Sequence, residues 1–318
     1  LADLGIIKDN AKTVAAALAN PETRNILIDK GYDPDKLRST YVADLASSDV
    51  YIPRDFKGLS DAQKDGLTQK IAVMNEALGA FNVHRLSDDE LTALKISPSR
   101  MFDESSDYQA AVYKDGDTDK YMLANRGTQS LRDGQSDMVN NFGNVDKKFE
   151  LAAKLAPDVY KKLDGNVTFV GHSLGGGLAS AQAARVDGAA ITFNAAGMTD
   201  SVAEKLDLHL TERNRANIEA NYLQGDVVSG MQDSSAIDAL AAVVGTPVKY
   251  AAQVGLLATG KMKWDEVSLG VGYAPEAFGT RHMIPNSDHS DVWSVKNHFN
   301  ASVLQGLTNS IMSAATAK

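Results

Sequence analysis

Residues 167–178, Val-Thr-Phe-Val-Gly-His-Ser-Leu-Gly-Gly-Gly-Leu, constrain the fold more than any other stretch of the chain. Val167 to Val170 make a short apolar, largely β-branched run that suits a strand buried on both faces. A glycine turn follows, Gly171-His172-Ser173-Leu174-Gly175, and then Leu178-Ala-Ser-Ala-Gln-Ala-Ala, rich in helix formers. Strand, tight turn and helix in that order turn a bare G-x-S-x-G match into a nucleophile elbow. In that geometry the serine sits on a strained turn, and a Cβ at position 171 or 175 would strike a neighbouring element. The helix that begins there aims unpaired N–H groups at the point where an oxyanion would form.

A serine hydroxyl needs a base within hydrogen-bond reach, and the base needs a carboxylate to orient it. In this class of fold the chain order is Ser, then Asp or Glu, then His. Asp226 follows the strand-like run Asn221-Tyr-Leu-Gln and lies in Gly225-Asp226-Val227-Val228, which makes it the expected acid. Three later histidines compete for the base: His298, His282 and His289, in that order of preference. His298 precedes a final amphipathic helix that would hold its ring steady. His282 follows a glycine-rich stretch and is the alternative base, whereas His289 lies in the polar run Asn286 to Asp291. The oxyanion hole is expected from the Leu174 N–H and from Thr128, in the loop Arg126-Gly127-Thr128-Gln129. His172 reads as a packing or hydrogen-bonding residue.

Around this centre the chain divides into residues 1–100, which read as helical, and residues 101–318, which alternate strands and helices. The two are expected to form one structural unit, with the helical region packed on or capping the rest. Asn20-Pro21 reads as an N-cap with proline in the first turn, and Ser60-Asp-Ala-Gln63 and Ser87-Asp-Asp-Glu90 as capping boxes. Leu67, Ile71, Met74, Leu78 and Phe81 repeat at helical spacing. Tyr108 to Tyr113 and Tyr121 to Asn125 read as a hairpin across Lys114-Asp-Gly-Asp-Thr-Asp-Lys120. Asp115, Asp117 and Asp119 imitate the opening of a calcium loop, but Lys120 and Arg126 replace its glycine and closing Glu, so a solvated turn is expected. Further elements are expected as a helix over 146–163, a strand within 188–197, a strand over 221–228 and a terminal helix over 300–317.

The stretch from about 230 to 275 is longer than a connection requires. Its apolar side chains, among them Leu240, Val244, Leu256 and Leu257, suit either a buried helical pair or a lid over an acyl pocket. Composition excludes several classes. A formal net charge of -9 speaks against nucleic acid and against electrostatic docking on an anionic membrane. With no cysteine there are no disulfides, no thiolate catalysis and no Cys-based zinc sites, and no metal or cofactor is expected. No apolar leader follows a basic N-terminus, and the most apolar window, 236–260, is interrupted by Asp238, Lys249, Gly245 and Pro247.

The chain resembles the class 3 lipases of the α/β-hydrolase fold through Arg126-Gly127-Thr128, Asp133 to Asn141, Gly171 to Gly176, Phe193 to Gly197 and Gly225 to Val228. Within them it looks most like the bacterial exported phospholipase A1 proteins, whose "S-D-V-Y" segment stands here as Ser48 to Tyr51. The resemblance, covering roughly residues 40–310, implies a phospholipid ester as substrate and export from the cell, and a lid over 230–275 would act at a peripheral membrane interface. The expected function is therefore a lipolytic serine esterase of phospholipase A1 type. Two alternatives stand beside it: hydrolysis of neutral glycerides or small esters, and a non-catalytic hydrolase-like protein whose helical region binds an accessory or inhibitory partner.

Overall fold

A computed structural model describes residues 2–127, 145–198, 200–208, 210–224, 277–286 and 300–316. Four helices come first: α1 (Ala2–Ala19), α2 (Pro21–Asp29), α3 (Pro34–Asp49) and α4 (Asp61–Gly79). Local signals set their starts. Asn20 accepts a hydrogen bond from Thr23 N–H, Asp33 caps α3 through Asp35 and Lys36, and Ser60 and Gln63 complete a reciprocal capping box. The region is not helical throughout. A strand, β1 (Val83–Arg85), joins the sheet at its edge before helix α5 (Asp88–Ala93), and its three residues are too few to show a period.

The rest alternates β2 (Phe102–Asp103), β3 (Tyr108–Asp115), β4 (Tyr121–Asn125), α6 (Val145–Lys162), β5 (Val167–His172), α7 (Leu174–Val186) and β6 (Ala189–Phe193). It continues through α8 (Asp200–Lys205), α9 (Glu212–Ala216), β7 (Ile218–Leu223), β8 (Thr280–Ile284) and α10 (Asn300–Thr316). The expected third strand thus starts three residues earlier, at Ile218, directly after α9, and its described part ends at Leu223. Among the described residues the sheet order is β1-β3-β4-β5-β6-β7-β8, with β2 paired to β3. The hairpin β3–β4 is antiparallel, and β4 through β8 run parallel. A parallel run needs cover on both faces. On one face lie α6 and α7, packing Phe149, Ala152, Val159, Leu178 and Ala179 against Leu123, Phe169 and Ile218. The other carries α1, α3, α4 and α10, whose Leu4, Tyr41, Leu78 and Leu307 share a core with Tyr113, Ala124, Val170 and Leu223.

The acidic turn between β3 and β4 is occupied, not merely solvated. Arg38 of α3 donates to both Asp115 oxygens, at 2.5 and 3.1 Å, to Asp117 at 2.9 Å and to the Phe81 carbonyl. Burial works against the Asp115 charge, but the guanidinium outweighs it and holds the carboxyl below its usual range.

Candidate active site

Every parallel strand delivers its C-terminal end to one edge of the sheet, and Ser173 stands at that edge between β5 and α7. Its backbone has φ 56° and ψ -129°, a conformation that non-glycine residues seldom adopt and that the surroundings must enforce. Enforcement comes from four backbone hydrogen bonds. Ser173 N–H donates to Phe193 O at 3.0 Å, and Ser173 O accepts from Gly176, Gly177 and Ala196 at 2.9, 3.3 and 3.0 Å. The glycine requirement is steric. A Cβ on Gly171 would collide with the Gly175 carbonyl, and one on Gly175 with the Asn125 carbonyl at the end of β4. Both side chains at the elbow are enclosed, Ser173 at 5% exposure and His172 at 4%. Leu174, the expected oxyanion donor, is the first residue of α7 and is buried, with its N–H at the helix N-terminus beside the serine.

Arg126 and Gly127, the last described residues before Thr128, stand at the end of β4 on the same edge. Arg126 is buried and donates to Gln109 Oε1 at 2.6 Å, to Asp107 O at 3.1 Å and to the Asp107 carboxylate. Lys148 of α6 approaches that carboxylate to 3.7 Å, and burial lowers its pKa in spite of the acid. Beneath the loop Asn125 accepts from Tyr108 Oη at 3.2 Å and donates to Gln182 at 2.6 Å, and Gln182 donates to Ala152 O at 3.2 Å. Gly127 N–H donates to Tyr51 Oη at 3.0 Å. Tyr51, Asn125, Gln182 and the Arg126 ion pairs escaped the functional reading of the sequence. The S-D-V-Y string marked Tyr51 and the R-G-T string marked Arg126, while Asn125 and Gln182 carried no signal.

Asp226, His298, His289 and Thr128 lie outside the described residues, as do Leu240, Val244, Leu256, Leu257 and Asp133 to Asn141. His282 is described. It sits within β8, opposite Asn221 of β7, which pairs with Phe193 of β6, which pairs with His172. That row crosses three strand spacings, about 14 Å, too far for a hydrogen bond to Ser173. Among the described residues no cluster of three His, Cys, Asp or Glu side chains could hold a metal ion. No helix among them is long and apolar enough to cross a membrane.

A mostly parallel sheet covered by helices, with a strained serine between strand and helix at the C-terminal edge, is an α/β-hydrolase fold. The chain belongs to the phospholipase-like family described by the Tle-like phospholipase domain, which matches residues 47–290. It is 31% identical over 163 residues to the extracellular phospholipase A1 of Serratia liquefaciens, and the match spans 50% of each chain, about half the length of that relative. Among solved structures it overlaps the triacylglyceride lipase of Rhizomucor miehei with a TM-score of 0.39 and 13% identity, over 64% of this chain and 77% of that one. For a triacylglycerol lipase of Penicillium expansum the values are 0.37 and 16%, over 64% and 75%.

Proposed function

We propose that this protein is an exported lipolytic serine esterase of phospholipase A1 type, releasing a fatty acid from glycerophospholipids. The observation that carries the reading is the enforced backbone of Ser173, φ 56°, at the start of α7. A strained, buried serine beside a helix N-terminus has a cost that a purely structural turn has no reason to bear. Ser173 Oγ attacks the acyl carbonyl while His298 takes its proton and Asp226 orients the imidazole. The Leu174 N–H and Thr128 receive the oxyanion. The lateral distance to His282 favours His298 as base. The phospholipid class and export rest on family membership and on the name of the Serratia relative. A flap formed by residues 230–275 would gate access of the substrate to Ser173.

The test presents the protein with a phospholipid and a triglyceride in parallel and identifies the lysolipid by mass. Ser173→Ala should lower phospholipid turnover on the order of a million-fold while the protein stays folded. A folded Ser173→Ala protein with wild-type turnover overturns the assignment. Preference for triglyceride moves it to a neutral lipase with the same machinery.

A further inference from the structure

Tyr51 lies at the end of the helical layer, in a segment remote in sequence from the elbow, yet its hydroxyl stands between two parts of the candidate site. It accepts from Gly127 N–H at 3.0 Å and donates to the His172 carbonyl at 3.4 Å. It therefore ties the loop leaving β4 to the residue immediately before the nucleophile. The bridge is buried, with Tyr51 7% exposed, so water competes poorly for either hydrogen bond. Its ring meets the His172 ring edge-on, with centroids 6.4 Å apart. A Cβ on Gly127 would collide with the Tyr51 hydroxyl and lie 2.8 Å from His172 O and 3.2 Å from Gly175 N. The start of the loop and the end of the elbow strand meet at one hydroxyl.

We propose that Tyr51 is a positioning residue for the candidate oxyanion site, holding Gly127 at the end of β4 against the elbow at His172. The inference deepens the reading of Ser173 as nucleophile and rests on it. Tyr51 follows the C-terminal end of α3, which is tied to β1 and β3 through Asp49. Asp49, two residues earlier and fully buried, accepts from Arg54 at 2.7 Å and from the Tyr113 hydroxyl at 2.7 Å, with Arg85 at 3.5 Å. The segment after α3 thus reaches the elbow through Tyr51. Electrostatic stabilisation of an oxyanion depends on donors held in place before the reaction, and a misplacement of about 1 Å can cost ~100-fold.

Tyr51→Phe keeps the ring and removes the bridge. On a short soluble p-nitrophenyl ester, kcat per titrated site should fall about 10- to 100-fold with KM within about twofold. The rate at which a phosphonate ester labels Ser173 should fall by a similar factor. Tyr41→Phe is the reference for a lost tyrosine hydrogen bond on the same layer, since Tyr41 Oη lies 3.0 Å from Thr308 Oγ1. It should lower the melting temperature as Tyr51→Phe does and leave kcat alone. Wild-type kcat in folded Tyr51→Phe overturns the proposal. If that variant does not fold, fluorotyrosines at position 51 weaken the acceptor in steps without changing shape. A kcat that declines with acceptor strength supports the proposal, and a flat response overturns it. Ser173→Ala run alongside separates the failures. If it is inactive while Tyr51→Phe is normal, only the positioning role falls, but if it stays active the nucleophile assignment falls as well.

Discussion

Between the sheet and helices α6 and α7 the buried core is apolar, with the amide pair Asn125 to Gln182 inside it and the charges of Arg126 and Lys148 kept to the loop end, on Asp107. On the opposite face, under α1, α3, α4 and α10, the apolar core shares its interior with Asp44, Ser47 and Asp49, none of them more than marginally exposed. Asp49 is paired there, whereas neither Asp44 oxygen has a hydrogen-bond partner among the described residues. The two faces solve different problems. Behind the elbow, glycines and alanines let α7 approach the strands closely, and apolar contact suffices. In front, one helix must present Tyr51 at one height, and paired charges fix a geometry more narrowly than hydrophobic contact does.

The contrast is broken most directly at Asp49. Asp49→Ala leaves Arg54, Arg85 and the Tyr113 hydroxyl around an empty site, and losing one partner of a buried pair costs about 3–5 kcal/mol. Urea denaturation should show that loss. Turnover per folded site should fall too, because Tyr51 loses its anchor. A stability loss without any effect on turnover would mean that the ionic layer supports the fold and not the site.

Asp44 sharpens the comparison with pH. It is fully buried in α3, and burial raises its carboxyl pKa well above the ordinary value, so the folded protein holds it protonated. The unfolded chain releases that proton above about pH 4. Stability from this group is therefore fully present below the unfolded pKa and is lost as pH rises toward the folded one. Asp44→Asn removes the linkage. Its melting temperature should match the wild type near pH 3.5 and exceed it at pH 7–8. Parallel melting curves across that range would show that Asp44 is not held protonated.

What could be read from the sequence follows from how local each signal is. The elbow at 167–178, the capping boxes at Ser60 and Ser87 and the hairpin across Asp115 to Lys120 are each encoded within a dozen residues, and each forms as expected. Contacts between distant segments left no such mark. Tyr51 meets Gly127 76 residues away and His172 121 residues away, and Arg38 reaches Asp115 across 77. The buried half of α3 was hidden for another reason. Thr40, Asp44, Ser47, Ser48 and Asp49 are polar, so no apolar stripe announces that nearly every side chain from 40 to 49 is enclosed. The third parallel strand was displaced because Val227-Val228 looks more strand-like than Ile218-Glu-Ala, whose pairing with β6 is a tertiary fact.

The smallest effect tests the quieter face. Ile218 begins β7, is fully buried among the α6–α7 core, and pairs with Ala190 at the end of the strand remote from Ser173. Ile218→Val removes one methyl group and should cost about 0.5–1.5 kcal/mol, the usual range for that change in a packed core. No ionisable group is disturbed, so the loss should be the same from pH 5 to pH 8. Turnover per folded site should be that of the wild type, because an apolar core spreads a small cavity over many contacts and sets no single donor. Equilibrium urea melts at several pH values, with kcat on the soluble ester, make the check. If Ile218→Val lowers kcat as Tyr51→Phe does, sensitivity is spread evenly through the fold, and the ionic face has no special hold on the site.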